Sequence, residues 1–123
     1  MLDTSPLTLV VERFADRLRA APQSRLQRGA AAEALELARE LAVRAQRLES
    51  AASAEGAGAA PARVVPDAGI FVVGDQVAVA GLDLVEALRA IACESAPDDA
   101  KAPSEVLDEA VRLVEQAEIR AMR

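Results

Sequence analysis

The sequence predicts an α+β, helix-dominated domain organised around one short β-hairpin. Three observations carry that expectation. Apolar residues return at helical spacing in four segments, capping signatures and prolines bound those segments, and a β-branched run from Ile70 to Val79 is split by Gly74-Asp75. The expected order is two N-terminal helices, a central hairpin with Val64-Val65 as a candidate third strand, and two C-terminal helices. At 123 residues the chain is expected to form a single domain, 1–123, with 54–62 as an internal linker.

The first helix is expected to start with Ser5 as N-cap and Pro6 in the first helical position. Leu7, Val10, Val11, Phe14, Leu18 and Ala21 recur on one face, and Pro22 ends the segment. Ser24 and Gln27 form an S-x-x-Q capping box for a second helix reaching to about Ser53. Its stripe is Ala30, Ala34, Leu37, Leu41 and Leu48, broadened by alanines and interrupted by Arg44. This face is coiled-coil-like and predicts pairing with the first helix and with a second chain. Ala54 to Ala62, with Gly56, Gly58 and Pro61 among small residues, reads as the linker.

In the predicted hairpin a Gly74-Asp75 turn pairs Val73 with Gln76, Val72 with Val77, Phe71 with Ala78 and Ile70 with Val79. Both faces would be apolar, and an isolated two-stranded hairpin is marginal in water, so helices or a partner must cover it. Asp83 and Glu86 read as a D-x-x-E capping box opening the third helix, with Leu84, Leu88 and Ile91 on one line. The segment from Ala96 to Pro103 reads as a polar loop, with Asp98 and Asp99 as solvated charges. A fourth helix is expected from near Ser104 to Met122.

Composition bounds the chemistry. Histidine is absent and Cys93 is the only cysteine, so an intrachain disulfide, a Ser-His or Cys-His triad and an ordinary zinc site are excluded. On that spacing Cys93 falls away from the core line and reads as an incidental thiol. Aromatic residues are 2% of the chain, Phe14 and Phe71, so the core must be made of Ala, Leu and Val. A core of small side chains favours additional burial in an oligomer. Residues 1–65 carry nine Arg against eight acidic residues, whereas residues 66–123 carry five basic against twelve acidic, and the whole chain is at −6. Such an acidic protein is poorly suited to nonspecific nucleic-acid binding. No basic-plus-apolar leader and no apolar run of about 18 residues is evident, so a cytoplasmic protein without a membrane span is expected.

The expected function is a non-enzymatic protein-interaction or accessory module without a cofactor. It would self-associate or meet a protein partner through Leu37, Leu41 and Leu48 on the second helix and Ile70, Phe71, Val72, Val77 and Val79 of the hairpin. Two alternatives belong to other classes. One is a transcription-related regulator, although the Pro22-Gln23 junction lacks a helix-turn-helix turn. The other is a Mg²⁺-dependent nucleotide hydrolase using Glu33, Glu36, Glu105 and Asp108 as a metal site. The latter spacing is similar to the E-x-x-E and E-x-x-D pairs of all-α nucleotide pyrophosphohydrolases. It departs from them in its long separation and in the shortage of lysines and aromatics for phosphate and base.

Overall fold

A computed structural model describes residues 2–52, 64–92 and 102–123. Among these, 83% are helical and none lies in a strand, so the described fold is all-α and not α+β. The helices are α1 (Ser5–Ala20), a single turn α2 (Gln23–Arg25), α3 (Ala31–Ala52), α4 (Val73–Ala92) and α5 (Pro103–Ala121). The predicted linker 54–62, Cys93 and the Asp98-Asp99 pair lie outside the described residues.

The ends of α1 follow from local chemistry. Asp3 Oδ1 accepts the Ser5 N–H at 3.0 Å, and the Ser5 side-chain hydroxyl, followed by this N–H, holds the Asp3 carboxyl below its usual pKa. Thr4 is the N-cap residue, one position before the Ser5 expected from the sequence, and its carbonyl accepts from Thr8 N–H at 3.1 Å. At the other end Ala21 is extended (φ −71°, ψ 141°), as the residue before a proline tends to be. The predicted second helix is interrupted. After α2 the chain makes a wide helical turn over Leu26–Ala30, with Gly29 at φ 142° and ψ −16°, and only then enters α3. That backbone conformation is open to glycine and strained for any L side chain. Gly29→Ala is therefore expected to cost about 1–2 kcal/mol, even though a Cβ there would meet no atom within 4 Å. A denaturant midpoint unchanged from that of the parent protein would contradict a kink fixed by backbone conformation.

The predicted hairpin is the main correction. Gln76 N–H donates to the Val72 carbonyl at 3.0 Å, and the chain is helical from Val73 onward. Gly74 is not a turn residue; in this segment the glycine with positive φ is Gly69 (φ 103°), whose N–H donates to Asp67 Oδ1 at 3.2 Å. The reason lies in a periodicity that the β-branched composition hides. Val73, Val77, Ala80, Leu84 and Leu88 are all buried and follow i, i+4, i+7, i+11 and i+15, one unbroken helical stripe. Asp83 and Glu86, read as a capping box, lie in the middle of this helix. The Val64-Val65 strand is likewise absent; that segment is irregular and is held by Arg39 Nε donating to the Val65 carbonyl at 3.0 Å.

Four long helices form a bundle whose cyclic order is α1, α4, α3, α5. Side-chain bonds set the directions. Arg89 reaches Thr4 and Arg19 reaches Asp75, so α1 and α4 are antiparallel. Arg120 reaches Glu33 and Arg44 reaches Glu109, so α3 and α5 are antiparallel. The 64–70 segment runs back along α3 and starts α4 beside the beginning of α3, which leaves those two helices parallel. Phe14, Leu7, Leu41, Leu84, Leu88, Val77 and Val114 fill the centre and are essentially inaccessible to solvent.

Candidate functional site

Two concavities stand out on the surface of the bundle. The first is an apolar groove of about 490 Å³ between α3, the 64–68 segment and α4. Ala42 forms one wall, Val64, Val65 and Pro66 another, and Val72 and Val79 the third. Two anchors hold the irregular segment in place: the Arg39 bond to Val65 and a bond from Gln76 Nε2 to the Pro66 carbonyl at 2.8 Å. The Pro66 contact fixes which way the Gln76 amide points. Its Oε1 is left buried and without a hydrogen-bond partner, on a residue that lines the groove. An unpaired buried acceptor costs about 1–3 kcal/mol and is rare in folded proteins.

Beside the groove lies exposed apolar surface. Val79 is 61% exposed and Leu82, one turn further along α4, is 54% exposed. Phe71, just ahead of α4, is 72% exposed, although the other phenylalanine, Phe14, is wholly buried. Val64 is the most exposed of the set. Asp75 also lines this groove and is paired with Arg19, whose Nη2 approaches it at 2.7 Å and whose pKa that bond raises.

The sequence-predicted contact residues therefore fall into two groups. Leu37, Leu41 and Val77 are buried in this chain's own core, and Leu48 and Ile70 pack half-buried against it. Phe71 and Val79 face solvent, and Val72 is half-buried at the groove. Leu82 and Gln76 were not expected here; a helical reading begun at Val73 would have placed Leu82 outward with Asp75 and Glu86.

The four carboxylates of the alternative metal site are not brought together. Antiparallel pairing of Glu33 with Arg120 and of Arg44 with Glu109 sets Glu105 and Asp108 towards the far end of α3 from Glu33 and Glu36. At 1.5 Å per residue, roughly 13 Å or more of helix separates the two pairs. Glu33 is instead ion-paired with Arg120 at 3.1 Å. No group of three or more candidate ligands capable of holding a metal occurs among the described residues.

The second concavity, about 360 Å³, lies at the α2–α3 turn and the end of α5. Arg25, Arg28, Arg120 and Arg123 line it, with Ser24 and Glu33. Arg25 is held in place by a bond from Nη1 to the Met122 carbonyl at 2.9 Å. No sequence signal joins these arginines, because the turn and the end of α5 meet only in the folded bundle.

Among the described residues no helix is long and apolar enough to cross a membrane. Comparison with protein-family models, curated proteins and solved structures finds no match. What defines this chain is therefore its own geometry: a helical bundle with an apolar groove on one side and an arginine-lined hollow at one end.

Proposed function

We propose that this domain is a non-enzymatic protein-interaction or accessory module that self-associates through the outer face of α4 and the adjoining groove. The observation that carries this reading is the exposure of Val79, which lines an apolar concavity, and of Phe71 and Leu82, the chain neighbours of its lining residues Val72 and Asp83. Large apolar side chains gathered at one place mark contact surfaces more often than isolated ones do, and aromatic residues are enriched there. Each is worth about 1.5–3 kcal/mol when taken fully out of water. A second copy would bury such a set twice, through a two-fold contact that presents the same helix from both sides. A main-chain N–H or a hydroxyl entering the groove would also satisfy Gln76 Oε1. The same reading places the protein in the cytoplasm, where its one cysteine calls for no disulfide partner.

The test is the solution mass. The chain is 12.9 kDa, and light scattering or sedimentation is expected to give twice that value. The double variant Val79→Asp, Leu82→Glu should sediment as a monomer with unchanged helical circular dichroism, because both positions face solvent. A monomeric parent protein, or a folded double variant that remains dimeric, overturns the proposal.

A further inference from the structure

The hollow at the end of the bundle has a charge that its surroundings do not explain. The chain carries 14 basic and 20 acidic residues, yet four arginines line this one concavity beside a single carboxylate side chain. Glu33 is engaged by Arg120 at 3.1 Å, and Arg25 is tied to the Met122 carbonyl. Arg28 makes no ion pair with any described residue, although acidic side chains are abundant elsewhere on the surface. Grouping like charges in this way is unfavourable for the empty protein and becomes favourable when an anion enters.

We propose that this hollow binds a small phosphorylated compound through its phosphoryl groups. Guanidinium groups offer planar pairs of N–H donors matched to the oxygens of a phosphate, and several around one concavity select a multiply charged anion. Ser24 is a further donor in the wall. The volume, about 360 Å³, suits a diphosphate or a sugar phosphate and not a polymer. No aromatic side chain lines the hollow, so nothing there stacks on a nucleobase. The turn that presents Arg25 and Arg28 is set by Gly29, whose positive φ separates α2 from α3, and Gly29 forms part of the wall. The ligand site thus depends on the kink in the chain and is independent of self-association through α4.

The test is titration calorimetry of the full chain at low ionic strength, with inorganic pyrophosphate as one probe and ribose 5-phosphate as another. One site per chain is expected. Arg28→Gln should weaken binding about tenfold, the loss of one charge-assisted contact. Arg28 is exposed and makes no ion pair with any described residue, so the fold should be untouched. Glu33→Gln should tighten binding, because it removes the carboxylate that competes for Arg120. Preference for pyrophosphate would assign a diphosphate, and preference for ribose 5-phosphate a sugar phosphate. Absence of saturable binding to both probes, equal binding of sulfate, or an Arg28→Gln protein with unchanged affinity overturns the site.

Discussion

Gly81→Ala is expected to lower the stability of the fold by about 2 kcal/mol, against the usual direction of a glycine-to-alanine change inside a helix. A Cβ at Gly81 would lie 2.5 Å from Cγ1 and 2.8 Å from Cγ2 of Val11. Val11 is only 4% exposed and branched at Cβ, so it has little rotameric freedom with which to move aside. Helices α1 and α4 must separate to admit the methyl group. Overpacking of this kind costs about 1–3 kcal/mol and at times more, whereas the gain in helix propensity is about 0.5–1 kcal/mol, so the clash dominates. Gly74 repeats the arrangement two turns earlier, where a Cβ would meet the Ala15 carbonyl oxygen at 3.0 Å. The denaturant midpoint measures the loss, and a double-mutant cycle locates it. Adding Val11→Ala to Gly81→Ala should cost less than the two single changes summed. Strict additivity would show that the two residues do not limit the helix approach.

The double variant Arg13→Ala, Arg17→Ala is expected to lose about 3–5 kcal/mol. Its target is Glu118, whose side chain is only 8% exposed between α1 and α5. Arg13 grips it through Nε and Nη2, at 3.1 and 2.8 Å, and Arg17 Nη1 reaches its other oxygen at 3.2 Å. The hydrogen bond to Glu118, followed by its charge, raises the Arg13 pKa above its usual value. Both arginines are more than half exposed, so losing either one alone should cost only about 1 kcal/mol. Losing both leaves a carboxylate out of water with no counter-charge, and the combined effect should exceed the sum of the singles. Adding Glu118→Gln to the double variant should recover part of the loss. Equal and small effects for one arginine and for two, measured by chemical denaturation, would mean that the carboxylate is hydrated.

The outer helices were legible in the sequence because local and tertiary signals agree there. Pro6 and Pro22 bound α1, and its spaced apolar residues are the buried ones: Leu7, Val10, Val11, Phe14 and Leu18. The last helix, Pro103–Ala121, likewise follows its periodic stripe. The centre was not legible, because local propensity and packing point in opposite directions. Val72, Val73, Val77 and Val79 suit a pleated surface when read locally, and Gly74-Asp75 looks like a turn. Packing prevails: as a helix the segment buries Val73, Val77, Ala80, Leu84 and Leu88 together, and its glycines meet α1 at close range. The exposed apolar surface was legible in the same partial way. Phe71 and Val79 were singled out as apolar, but whether a side chain faces the core or solvent follows from the period, and the period was taken as two instead of 3.6. Leu37 and Leu41 form a stripe in either reading, and only the bundle shows that the stripe is consumed within one chain. The arginine hollow was out of reach altogether, since Arg25 and Arg28 meet Arg120 and Arg123 only after α5 has packed.

The cyclic order of the bundle also has a consequence for the order in which the molecule can come into being. The main neighbours of helix α1 are α4 and α5, both of which come after α3 in the chain. As the polypeptide leaves a ribosome, α1 and α3 emerge first, and neither has its principal neighbour available. The apolar stripe of Leu7, Val11, Phe14 and Leu18 stays uncovered until the segment from Val73 onward has been synthesised. Contacts of such long sequence separation delay folding and lengthen exposure to aggregation or to chaperones. The two glycines that admit α4 against α1 thus close the domain late, and the N-terminal half depends on the C-terminal half to acquire its structure.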